Sequence, residues 1–211
     1  MKAKLWSMVV VFCISLLGFS VGIKAEAAKK MTMPSTETKI LSQDELETKK
    51  EEIAKQIKYF DENGDEIHPY TLEELKNMIK LTPDQPQDST SSETEDHPFK
   101  LAYKTYTPKT GFHFDYNLYL GQGKYGYAFK DPKTILITPK GTAKPFNIIV
   151  KYDKNGAPGN QAQKVTLPGG WRGEMHMNFS VKKGKKYRIH FVNPSNGKTT
   201  VYIKKTTLWY D

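Results

Sequence analysis

The densest run of one chemistry in this 211-residue sequence is Lys182-Lys183-Gly184-Lys185-Lys186, closely followed by Arg188 and later by Lys204-Lys205. So concentrated a positive field raises the local concentration of polyanions and speeds encounter with them. Lysines are also used for solubility and to guard sheet edges against aggregation. A second kind of residue is aromatic: Trp171 follows Gly169-Gly170, and Trp209-Tyr210 lies near the end of the chain. Flat aromatic faces at the rim of a sandwich can stack on sugar rings, although core packing is the commoner use of tryptophan.

The inventory for covalent chemistry is thin. His113, His176 and His190, with Asp115 and Glu174, would supply nitrogen and oxygen ligands to one metal only if separate strands brought them together. They contain no His-x-His or His-x-x-x-His pair, so exposed strand histidines are the simpler expectation. Residues 98–211 hold five carboxylates, and Asp115 with Glu174 is the only pair in strand-like sequence that could flank a glycosidic bond. No G-x-S-x-G elbow occurs, and the only cysteine, Cys13, sits in the N-terminal apolar run. A small hydrolase built on Glu174, His176 and His190 is the enzyme alternative. The sequence as a whole favours a non-enzymatic protein with no cofactor and no metal.

Two motifs fail on their context. Gly121-Gln122-Gly123-Lys124-Tyr125-Gly126 matches GxGxxG, but a strand and a turn follow it where a phosphate-binding helix would have to start. Asp61-Glu62-Asn63-Gly64-Asp65-Glu66 has alternating oxygen donors, yet its sixth position is Glu66 and its twelfth is Leu72, so it lacks the glycine and glutamate of a calcium loop. Asn63-Gly64 instead suits a tight hairpin turn.

The elements that must position these residues follow from periodicity. Ser42-Gln43-Asp44-Glu45 is a capping box that opens a helix to about Lys58, with Leu46, Ile53 and Ile57 near one face. A hairpin over Ile57 to Tyr70 follows, and a second capping box at Thr71 to Glu74 starts a short helix through Leu81. This acidic helix-hairpin-helix segment, residues 42–81, is too small to stand alone and is expected to dock on something. Residues 82–98, rich in Pro, Asp, Gln, Ser, Thr and Glu, read as a flexible linker.

From Phe99 the period becomes two. Phe112, Phe114, Tyr116, Leu118 and Leu120 alternate with polar or aromatic neighbours, as do Phe146, Ile148, Val150 and Tyr152. Met175, Met177, Phe179 and Val181 repeat the pattern, and so do Tyr187, Ile189 and Phe191. Turn clusters separate these runs, which predicts a mostly β protein: an antiparallel β-sandwich of about seven to nine strands over residues 99–211.

The N-terminus reads as a secretory signal peptide over residues 1–27. Lys2 and Lys4 precede an apolar run from Leu5 to Ile23, and Ala25-Glu26-Ala27 fits the cleavage site. Loss of that segment removes Cys13 and leaves a thiol-free, extracellular product without disulfides. A polar tail occupies residues 28–41. Residues 28–97 carry 17 acidic and 9 basic side chains, whereas residues 98–211 carry 5 acidic and 20 basic. The acidic part can therefore screen the basic domain from within the chain.

Two stretches carry a resemblance. Tyr59-Phe60-Asp61-Glu62-Asn63-Gly64-Asp65-Glu66-Ile67-His68-Pro69-Tyr70-Thr71 resembles the hairpin before a short helix in small secreted proteins of Bacillus-type bacteria. Phe179-Ser180-Val181 through Gly184 to Tyr187 is similar to the ending of pre-peptidase C-terminal β-sandwiches. That likeness implies a non-catalytic sandwich of the kind that accompanies secreted enzymes.

The sequence thus predicts a secreted accessory protein, associated with the cell wall, whose basic patch of Lys182, Lys183, Lys185, Lys186 and Arg188 meets an anionic cell-wall polymer or membrane surface. No specific nucleic-acid partner is expected. The alternative is a polysaccharide-binding module that stacks sugars on Trp171 and Trp209.

Overall fold

The computed structural model describes residues 42–82 and 103–211; the expected signal peptide, the polar tail and all but the first residue of the expected linker lie outside the described residues. The chain is mostly β, with two helices and 13 strands among the described residues. In order these are α1 (Gln43–Ala54), β1 (Lys58–Phe60), β2 (Glu66–Ile67), α2 (Leu72–Asn77) and β3 (Ile79–Leu81). Then come β4 (Lys104–Tyr106), β5 (Phe112–Phe114), β6 (Asn117–Tyr119), β7 (Phe129–Lys130) and β8 (Thr134–Pro139). The last five are β9 (Phe146–Lys154), β10 (Ala157–Leu167), β11 (Gly173–Asn178), β12 (Lys186–Val192) and β13 (Val201–Tyr210).

The strands make two antiparallel sheets, consistent with a sandwich. One, of seven strands, runs β2-β1-β10-β9-β12-β6 with β7 also on β12; the other, of six, runs β3-β11-β8-β13-β4 with β5 also on β13. The period-two residues form the interior, because successive side chains of a strand point to opposite faces. Phe146, Ile148 and Val150 of β9, Tyr187, Ile189 and Phe191 of β12, and Met175 and Met177 of β11 are all buried. Each large side chain so buried contributes about 1.5–3 kcal/mol relative to exposure. The strand count exceeds the expected seven to nine for two reasons. Several ladders are only two or three residues long, and the alternating run from Phe112 is split, with β5 pairing β13 in one sheet and β6 pairing β12 in the other.

The acidic N-terminal segment is built into this architecture. β1 pairs with β10 and β3 pairs with β11, so residues 42–82 supply a strand to each sheet. Ile53, Ala54, Ile57, Tyr59 and Ile79 belong to the same hydrophobic cluster as the strands of residues 103–211. Both capping boxes form, at Ser42 with Glu45 and at Thr71 with Glu74. The helices end earlier than the sequence predicts: α1 stops at Ala54, and α2 stops at Asn77 so that 79–81 become a strand, not a last helical turn. Pairing of Ile79 with Met175 and of Lys80 with Glu174 outweighs the local helical pattern. The hairpin turn at Asn63-Gly64 is present, with Gly64 at a φ of 90° that suits glycine. Asp61 Oδ1 accepts from the backbone N–H groups of Asn63 and Asp65 at 2.8 and 3.0 Å, so the carboxylate closes the turn.

Candidate functional site

The basic run lies on the loop between β11 and β12 and on the start of β12, and its members have different fates. Arg188 is 6% exposed and leaves the expected anion-binding patch altogether. Its Nε donates to Asp153 Oδ1 at 2.6 Å, and its Nη1 donates to the carbonyls of Tyr125 and Gly126 at 2.7 and 2.8 Å. The glycine-rich loop after β6 is therefore a carbonyl cage for a guanidinium. A Cβ on Gly126 would collide with the Leu120 carbonyl, so glycine is what lets the loop fold back on β6 and present these carbonyls. Lys182 is also committed, since its Nζ donates to the two carboxylate oxygens of Glu62 at 2.8 and 3.1 Å, while Tyr152 donates its hydroxyl to Glu62 at 2.9 Å. These bonds lower the Glu62 pKa and raise that of Lys182. The acidic segment and the basic loop meet at this pair.

Three lysines remain. Lys183, Lys185 and Lys186 are exposed and pair with no carboxylate among the described residues. Their loop is tethered at several points. The Tyr187 hydroxyl donates to the Lys182 carbonyl at 2.6 Å, the Lys185 N–H donates to Asp131 Oδ1 at 3.2 Å, and the Asp131 N–H donates to the Lys185 carbonyl at 3.0 Å. Lys186 stands opposite Lys130 in the β12–β7 pair, an arrangement of like charges that costs a few tenths of a kcal/mol to about 1 kcal/mol.

The two tryptophans also part company. Trp171 is fully buried, with its indole N–H donating to the Pro168 carbonyl at 2.9 Å, and offers no surface for a sugar. The turn that carries it folds inward because so large an apolar ring gains more from the core than from a rim. Trp209 faces outward on β13 and stacks beside His176 of β11, with ring centroids 6.3 Å apart and planes at 28°. Both line a cleft of about 460 Å³ on the outer face of the six-stranded sheet.

Three structural units build that cleft. Its floor includes Thr134 of β8 and His176 and Asn178 of β11, beside Trp209. One wall comes from the α2 region, with Tyr70, Glu74, Asn77 and Met78, and the other from Tyr103 and Lys133. Tyr103 is 38% exposed, and Lys133 Nζ sits 5.8 Å from its ring centre while pairing with Asp211 at 3.1 Å. Glu74 Oε2 accepts from the N–H and hydroxyl of Thr71 at 2.7 and 2.9 Å, and these bonds hold its carboxyl below the usual pKa. Asn178 Oδ1 accepts from the Thr134 hydroxyl at 2.7 Å, a bond that leaves its amide hydrogens unused. Sequence reasoning singled out two of these residues, Trp209 for sugar stacking and His176 for metal or hydrolase chemistry. The other contacts come from distant segments with no shared period or motif.

The proposed catalytic trio is not assembled. Glu174 and His176 alternate with the inward Met175 and Met177, which places them on the outer face of the six-stranded sheet. His190 alternates with Ile189 and Phe191 on the outer face of the other sheet. It stacks on Tyr119 at 4.1 Å and 7°, and both of its ring nitrogens are buried without a hydrogen-bond partner. Burial, with a smaller contribution from Lys151, pushes its pKa down to about 4, so the ring is neutral near neutral pH. His113 lies against Tyr202 at 5.6 Å, and Asp115 accepts from the Thr200 hydroxyl, so neither joins Glu174.

Comparison with protein-family models, with curated proteins and with solved structures finds no match to this chain. The likeness to pre-peptidase C-terminal sandwiches therefore stands on the residues quoted for it alone.

Proposed function

We propose that this protein is a secreted, non-enzymatic binding protein that holds a carbohydrate chain in the cleft beside Trp209. The observation that carries this reading is the composition of the cleft: the rings of Tyr70, Tyr103 and Trp209 stand around a depression whose polar groups are Glu74, Asn77, Asn178, Thr134 and Lys133. A sugar ring presents apolar C–H faces and a rim of hydroxyls, and it needs aromatic surface for the first and fixed donors and acceptors for the second. The capping box holds the Glu74 carboxylate in place, and the bond from Thr134 orients the Asn178 amide, so both are set before a ligand arrives. The volume falls in the ordinary range of ligand sites.

A second reading, association with an anionic envelope surface, is favoured by the three lysines left without acidic partners on a tethered loop. The two readings separate by salt, because exposed charge contacts are screened while stacking persists. Isothermal titration of the chain from residue 28 with xylan, β-glucan, chitin and uronan oligosaccharides tests the cleft. Binding of one of them that survives high salt and drops about tenfold or more in both Tyr103→Ala and Trp209→Ala is the expected result. Binding unaffected by these two substitutions, or no binding to any oligosaccharide, overturns it.

A further inference from the structure

Lys133 belongs to two depressions. It lines the cleft described above, and it also lines a smaller one of about 240 Å³ with Pro132, Phe179, Ser180 and Lys183. The backbone explains the junction. The corner from Lys130 to Thr134 passes from β7 of one sheet to β8 of the other, with the Lys133 N–H bonded to the Trp209 carbonyl at 2.8 Å and the Phe179 N–H bonded to the Lys133 carbonyl at 2.7 Å. The C-terminal end of β13, the corner and the lysine loop are thereby fixed side by side. The second depression also contains Asp131, but this residue is 6% exposed and its Oδ1 accepts the Lys185 N–H, so its charge is turned to the loop backbone. The Asp131 contact places Lys185 next to this depression, and Lys186, which follows it, pairs opposite Lys130.

We infer that the cleft binds an acidic glycan, a polymer with repeated negative groups, whose rings lie against Tyr103 and Trp209 and whose charges run past Lys133 and Lys183 to Lys185, Lys186 and Lys130. The inference rests on the cleft reading given under the proposed function. Its independent support is the placement of charge. Lys182 is neutralised by Glu62, and Lys133, where the two depressions meet, shares its charge with Asp211, whereas Lys183 at the second depression and the nearby Lys185, Lys186 and Lys130 keep no acidic partner among the described residues. The Lys186–Lys130 pair sets like charges opposite each other, and an anion between them relieves that repulsion. A tethered loop also loses little freedom when it engages the polymer.

The test uses oligogalacturonate and its methyl ester, which share a backbone and differ in charge, with a glycerol phosphate oligomer as a polyanion without sugar rings. The chain from residue 28 is compared with Lys183→Glu/Lys185→Glu and with Trp209→Ala by isothermal titration at low and high salt. The expected result is that the acidic oligosaccharide binds more tightly than the ester, and that the lysine variant loses about tenfold for the acidic form only. Trp209→Ala is expected to weaken both sugars. A glycerol phosphate oligomer that binds with lysine dependence but without dependence on Trp209 identifies charge alone as the determinant and overturns the shared track. Equal binding of acid and ester, both lowered by Trp209→Ala and neither by the lysine variant, overturns the inference while leaving the cleft reading intact. Binding of neither sugar overturns both.

Discussion

Arg188 shows how one side chain changes role once its surroundings are known. In the sequence it extends a run of lysines; in the fold it is a buried cation held by a carboxylate and two carbonyls. Arg188→Ala strands those acceptors and is expected to cost about 3 kcal/mol, with Arg188→Lys intermediate because it restores charge without the planar fork. Urea unfolding measures both, and an alanine variant as stable as the parent would show the cage to be dispensable. His190 makes a prediction about pH. Its folded-state pKa of about 4 lies below the ordinary 6.5, so between those values the unfolded chain binds more protons than the folded one. Stability from this residue is complete above about pH 6.5, falls as the pH is lowered toward 4, and changes no further below that. The loss is on the order of 2 kcal/mol once partial solvent access is allowed for. His190→Phe keeps a ring against Tyr119 and removes the titration. Thermal melts between about pH 7 and about pH 4.5 should therefore vary less in that variant than in the parent, and an unchanged slope would place the titration elsewhere.

At the scale of elements, the edges are the decisive parts. β10 and β11 would each expose an unpaired backbone without β1 and β3, and long open edges invite association between molecules. A chain beginning at residue 99 also loses Ile53, Ile57, Tyr59 and Ile79 from the core. It is expected to aggregate or to melt at least 10 °C lower and less cooperatively than the chain from residue 28, since several large side chains at about 1.5–3 kcal/mol each are gone. Size-exclusion chromatography with calorimetry decides, and a monomer of unchanged stability would mean that the N-terminal strands are ornamental. The inward runs of β9, β11 and β12 were legible because burial on one face writes itself as alternation. β3 was not, since three residues carry too little pattern and the capping box ahead of them points to a longer helix. Its partner, Gly173 to Met175, lies far along the chain, and no local signal encodes that register.

For the whole molecule, the polarity of the two halves was readable from composition, and the fold shows one place where their opposite charges meet, at Glu62 and Lys182. The cleft was legible only in part. Trp209 stood out as a terminal aromatic, but Tyr70, Glu74, Tyr103, Lys133 and Asn178 become neighbours solely because α2, the corner before β8 and the end of β13 converge. A binding surface assembled in this way has no contiguous sequence signature, whereas a core strand does.

The pairing of Tyr59 with Val165 and of Ile79 with Met175 sets a timetable for folding. β1 and β3 wait for partners about a hundred residues further along the sequence, and closing so long a loop is entropically costly. Neither sheet is therefore complete on these sides until β10 and β11 are in place, as a belt is fastened only when its far end comes round.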